Sequence, residues 1–166
     1  SVVIDGNFHR VFYNGNAEGR KILEVQQWGS QVWSSFGSAF YGASNIQVTA
    51  TDAPNLSIVS DMRDMFGNAS SLNSNLSSWN VSNVTNMSGM FRGATAYNQP
   101  LDSWNVSNVT NMSSMFSGAT IFNQPLNSWN TSNVTTMAYM FDSAKAFNQP
   151  LNSWNTNNVI NMSGMF

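Results

Sequence analysis

The chain has no cysteine at all, one histidine and four prolines, and only 8% of its 166 residues carry charge. Without cysteine there is no disulfide framework and no thiolate metal site. The lone His9 sits beside Arg10 with no partner motif, and reads as an ordinary residue of the N-terminal lead-in. A formal net charge of -2 gives no basic footprint for nucleic acid. No run approaches the roughly 18 consecutive apolar residues of a membrane-spanning helix. The signatures of a nucleophile elbow, a zinc protease helix and a phosphate-binding loop are all missing, so nothing points to an enzyme or a cofactor. The carboxylates of Asp61 and Asp64, and the run Asp5-Gly6-Asn7, lack the oxygen density that a calcium loop needs.

What the chain has in abundance is Asn, Ser and Thr, laid out on a strict period of 25 residues. Met62, Met87, Met112, Met137 and Met162 form one column, and Met65, Met90, Met115, Met140 and Met165 a second; together they are all ten methionines. Phe66, Phe91, Phe116, Phe141 and Phe166 follow, then Leu76, Leu101, Leu126 and Leu151, then Trp79, Trp104, Trp129 and Trp154, then Val84, Val109, Val134 and Val159. Self-similarity at this period marks an array in which each unit stacks on the next.

The period divides the chain. Residues 1–35 are not repetitive and read as a β-rich cap built of hairpins, with strands at Val2–Ile4, Phe8–Tyr13 and Ile22–Gln27 and a turn at Asn14-Gly15-Asn16. Residues 36–61 form a degenerate first coil, since Phe36, Phe40 and Ala43 repeat the spacing of Met62, Phe66 and Ala69. Residues 62–166 hold four repeats and the start of a fifth. The chain opens directly in strand-like sequence and closes inside a repeat, which predicts a fragment of a larger protein.

Within a unit, Met87, Met90, Phe91 and Ala94 fall at i, i+3, i+4 and i+7, the spacing of one helix face. Thr85 or Asn86 would cap that helix and Gly93 would end it. Leu101 to Val106 is the best strand candidate, entered through Pro100. The expected fold is therefore an α/β repeat, a solenoid of short helix and short parallel strand. Met87, Met90, Phe91, Leu101, Trp104 and Val109 represent the columns expected to line its core. The Trp column is expected inside, because an exposed aromatic ladder of that length invites aggregation. The Asn columns at 80, 83 and 98 and their equivalents admit two readings, an internal amide ladder or a solvated polar face.

The motif MF-x-x-A-x-x-[FY]NQPL-x-x-W-N-x-S-N-V-T, as in Met90-Phe91, Asn98-Gln99-Pro100-Leu101 and Trp104, resembles the BspA-like leucine-rich-repeat surface proteins, among them mycoplasma lipoprotein repeats and secreted Bacteroidetes and marine bacterial proteins. The likeness covers Met62 to Phe166 closely. It implies a leucine-rich-repeat-like, right-handed solenoid at a cell surface or secreted, in a family where some members are adhesins and no site residues can be carried over. Asn73-Ser74-Asn75-Leu76 replaces NQPL in the first clear repeat, and Thr136, Tyr139, Asn157 and Ile160 depart from consensus in ways that read as drift.

Three functions stand open at this level. The first is an extracellular module that binds protein or glycan on another cell or surface. Its candidate contacts are the exposed positions that differ between copies: Arg92, Ser117 and Asp142 in one column, and Asp102, Asn127 and Asn152 in another. The second is a spacer or filament-building segment that meets neighbouring copies of itself, which near-identical repeats favour. The third is binding to ice or a crystalline polysaccharide through the Ser82, Ser107, Ser132 and Thr85, Thr110, Thr135 columns.

Overall fold

The structure, a computed structural model, describes residues 10–12 and 19–166. The expected strand Val2–Ile4, the outer residues of Phe8–Tyr13, the turn at Asn14-Gly15-Asn16 and His9 lie outside these residues. The chain winds as coils laid one on another, each shifted by 25 residues from the last. Met62, Met87, Met112 and Met137 donate their backbone N–H groups to Asn86, Asn111, Thr136 and Asn161 at 2.9–3.0 Å, and Phe36 does the same to Asp61. A row of single parallel bridges, Asp61–Asn86–Asn111–Thr136–Asn161, runs along the stack beside them.

The expected α/β repeat is not what these coils are made of. Among the described residues the regular elements are one 3-10 turn, Gly19–Lys21, and two strands of two residues each, β1 (Glu24–Val25) and β2 (Gln47–Val48), which pair in parallel. The helix expected over Met87–Ala94 is replaced by two consecutive tight turns. Met90 and Ala94 close them by donating to Met87 and Phe91, while Gly89, Phe91 and Gly93 donate outward to Ser113, Met115 and Ser117 of the next coil. A helix would turn every one of those N–H groups onto its own carbonyls; here alternate ones are spent between coils. Left-handed residues at Gly89 (φ 63°) and Gly93 (φ 67°) reverse the backbone twice and forbid a continuous helix. The i, i+3, i+4, i+7 pattern misleads because two stacked turns of three to four residues put the same positions inward.

The strand expected at Leu101–Val106 is also absent. Trp104 donates to Leu101 and Val109 to Val106, so that segment is two further turns. The last strand expected in the cap, Ile22–Gln27, shrinks to β1 and pairs in parallel with β2 rather than closing a hairpin. The leucine-rich-repeat-like solenoid of helix and strand is thus overturned, and a stack of coils made of turns takes its place.

Its core is the set of columns. Met87, Met90, Phe91, Leu101 and Val109 are fully buried, and Trp104 is 3% exposed. Phe40, Phe66, Phe91, Phe116, Phe141 and Phe166 stack face to face, successive rings 5.6–6.0 Å apart. Trp104, Trp129 and Trp154 each reach back and donate an indole N–H to Leu76, Leu101 and Leu126 at 2.9–3.0 Å. A buried indole needs that partner, so each tryptophan packs the interior and ties two coils together.

The polar columns prove equally structural. Asn98, Asn123 and Asn148 accept and donate in series: the N–H of Asn123 meets the Asn98 side-chain oxygen at 2.9 Å, and that of Asn148 meets Asn123 at 2.9 Å. Gln124 and Gln149 add a second donor to the same oxygens at 3.1 Å. Asn83, Asn108, Asn133 and Asn158 each donate an amide to a carbonyl of the preceding coil at 2.7–2.8 Å. Asn80, Asn105, Asn130 and Asn155 instead close a local turn onto the N–H two residues on. The Thr85, Thr110 and Thr135 hydroxyls donate to the coil before them. A chain with little helix or sheet has many backbone groups to satisfy, and these side chains satisfy them.

Candidate binding face

One strip of the surface is different. It runs along the stack through the paired turns at residues 61–70 and their equivalents. The left-handed positions on it form two columns: Asp64, Gly89, Ser114, Tyr139 and Gly164 in one, and Asn68, Gly93, Gly118 and Ser143 in the other. Backbone bonds lock the first column, with Asp64, Gly89, Ser114 and Tyr139 donating to Ser88, Ser113, Ala138 and Ser163, all at 2.8 Å. The scaffold beneath the strip is therefore as regular as the rest of the stack.

The side chains on it are not. From residue 36 onward the sequence holds eight charged residues, and Asp61, Arg63, Asp64, Arg92, Asp142 and Lys145 fall on this strip, leaving only Asp52 and Asp102 elsewhere. Arg92 is 44% exposed and reaches across a coil to Asp64 at 3.3 Å. Its guanidinium also lies over the Tyr41 ring, 5.9 Å from the centroid. The Tyr41 hydroxyl in turn accepts from Asn68 at 3.0 Å. Burial pushes the Asp64 carboxyl above its ordinary pKa, with Arg92 and Arg63 opposing that shift. A half-exposed ion pair of this kind contributes about 0–1 kcal/mol to folding, so the pair by itself is a small part of the stability of the stack.

Gly89 belongs to the cluster as a space. A Cβ there would collide with the Asp64 carboxylate, and would stand 3.9 Å from the Arg92 Cβ. That collision explains why the coil after Asp64 carries Gly89 where the following coil carries Ser114. The 3.9 Å separation shows that positions 89 and 92, and by the repeat 139 and 142, are neighbours on the surface.

The structure brings Arg92, Ser117 and Asp142 together on this strip. Ser117 lies one coil from Asp142, and its hydroxyl donates to that carboxylate at 3.4 Å. Asp102, Asn127 and Asn152 occupy a separate turn, between the Leu and Trp columns. There Asn127 is engaged with Ser153 through two bonds of 2.9 and 3.1 Å, the fastening of one coil to the next. No hydrogen bond or ion pair joins the two columns among the described residues. Sequence reasoning read Tyr139 as drift and weighed Asp64 only as a calcium ligand, and it did not single out Tyr41. The signal for Tyr139 was available: an aromatic in a column otherwise filled by Asp, Gly and Ser.

Among the described residues no group of three or more His, Asp or Glu could hold a metal, and no helix is long and apolar enough to cross a membrane. A family model described as "Mycoplasma protein of unknown function, DUF285" matches residues 34–131 and 100–166. No curated protein and no solved structure matches the chain.

Proposed function

We propose, for a chain that belongs to the DUF285 family, the role of an extracellular repeat module that binds a protein or glycan through the turn strip. The resemblance of its repeats to BspA-like surface proteins supports the location. The observation that carries the binding role is a division of labour on the surface. Asn83, Thr85 and Asn98 and their copies recur because each fastens one coil to the next. The turn strip carries six of the eight charged residues from residue 36 onward and several of the differences between copies, and it holds Arg92 and two tyrosines, residue types that dominate binding energy at interfaces.

The test is adherence of protein-coated beads to cells and to immobilised glycans. Arg92→Glu should abolish adherence, while Ser78→Glu, at an exposed site off the strip, should leave it intact. A second reading, a spacer that projects another domain, is favoured by the unbroken coil-to-coil ladders. It is the reading that stands if neither substitution changes adherence. Thermal hysteresis in dilute solution is the corresponding readout for ice binding.

A further inference from the structure

We propose that Tyr139 and Asp142 form a subsite for a pyranose ring, an inference that rests on the turn strip being the binding face. Tyr139 has a φ of 57°, a left-handed conformation that a bulky side chain adopts only at a cost. The equivalent positions are Asp64, Gly89, Ser114 and Gly164, so the fold does not need an aromatic there. Asp64 and Ser114 share the left-handed conformation, but a bulky aromatic is the side chain least suited to it, and such an outlier at one copy of a repeated turn points to function.

The surroundings fit a sugar. Tyr139 is 51% exposed, and its hydroxyl has no hydrogen-bond partner among the described residues. It rests against Gly164 of the next coil, where a Cβ would stand 2.6 Å from ring atoms Cδ1 and Cε1. The missing side chain lets the ring lie against backbone on one side, leaving the remainder to solvent. Asp142 follows in the same turn, its N–H donating to the Tyr139 carbonyl at 3.3 Å. Its carboxylate receives only long bonds, 3.4 Å from Ser117 and 3.5 Å from Ser143, so lone pairs remain for better donors. On the preceding coil the equivalents are the smaller Ser114 and Ser117.

A pyranose offers an apolar C–H face that stacks on an aromatic ring and adjacent hydroxyls that donate to a carboxylate. A cationic peptide also suits a tyrosine beside a carboxylate, but the exposed Lys145 follows Asp142 by three residues, and its like charge disfavours such a peptide on this turn. The sugar is therefore the better fit.

The experiment uses the whole chain and methyl glycosides of glucose, galactose and mannose with N-acetylglucosamine, read by saturation-transfer NMR and calorimetry. At least one should bind. Tyr139→Gly should weaken that binding at least about tenfold, equivalent to about 1.4 kcal/mol. It should also raise the thermal midpoint, since it relieves the left-handed strain. Tyr139→Phe should retain affinity, and Asp142→Asn should weaken it. A tyrosine with a merely structural role predicts the opposite for Tyr139→Gly: lower stability and unchanged binding. The proposal is overturned if no glycoside binds, if Tyr139→Gly leaves binding unchanged, or if a trilysine peptide binds there in their place. Loss of adherence in Arg92→Glu with no glycoside binding would sink the sugar subsite and leave the binding face standing; unchanged adherence in Arg92→Glu would sink the face itself.

Discussion

Tyr97 sits where the next two coils place Phe122 and Phe147, and it is fully buried. Its ring stacks on Phe91 at 4.3 Å, against 4.1 Å for Phe122 on Phe116 and 4.0 Å for Phe147 on Phe141. The ring fits its slot as phenylalanine does, but its hydroxyl has no hydrogen-bond partner. An orphaned buried polar group costs about 1–3 kcal/mol relative to a satisfied one. Tyr97→Phe removes the orphan and leaves a void of about one oxygen atom, whose lost contacts offset only a fraction of that gain. The expected result is a stabilisation of about 1–2 kcal/mol, or a rise of roughly 2–4 °C in thermal midpoint per kcal/mol for a chain of this size. Urea unfolding followed by tryptophan fluorescence reads it directly, with an unchanged slope confirming that the same cooperative unit melts. A loss of stability would refute the reasoning, because it would mean that the hydroxyl is satisfied by a buried water that the phenylalanine leaves behind.

The same residue predicts a pH dependence. Burial pushes the Tyr97 phenol well above its ordinary value. A pKa raised by folding leaves stability intact below the unfolded value of about 10 and erodes it as pH climbs beyond. The urea midpoint should therefore fall as pH rises above about 10 in the parent and fall less in Tyr97→Phe. Trp104→Ala, which removes a buried ring and the donor to Leu76, should cost about 3–5 kcal/mol in urea unfolding. Gly89→Ala forces a Cβ into left-handed backbone and against the Asp64 carboxylate, and should cost about 1–3 kcal/mol, with Asp64→Ala in the same chain restoring part of the loss. Asn98→Ala strips the acceptor from Asn123 and Gln124 and should cost about 1 kcal/mol by thermal unfolding, moderated by its partial exposure.

The Met, Phe, Leu, Trp and Val columns were legible in the sequence, the Tyr97–Phe122–Phe147 column was not singled out, and element type was not legible, for one physical reason. Periodicity reports which side chains face inward, since burial of Met87, Met90, Phe91 and Trp104 needs apolar atoms whatever the backbone does. It does not report where a backbone N–H points, and that is what separates a helix from a turn ladder. The left-handed residues that decide it, Asp64, Asn68, Ser114 and Ser143, are types that tolerate such a conformation without announcing it. Gly93 and Gly118 did announce a break, but a helix C-terminus explains a glycine just as well.

The same logic separates structure from binding within the repeat. In a stack held by nearest-neighbour contacts, every residue that fastens one coil to the next is under the same demand in each copy. Asn108 and Asn133 therefore match each other because Ser82 and Ser107 offer the same carbonyl. A position freed from that demand can drift to anything small and polar, and Ser114 and Ser117 are what such freedom looks like. Tyr139 is not drift of that kind, because its conformation penalises the side chain it carries. A departure that costs the fold something needs a return; packing on Gly164 covers one side of Tyr139, and the half that stays exposed beside Asp142 is where a return outside the fold is to be measured.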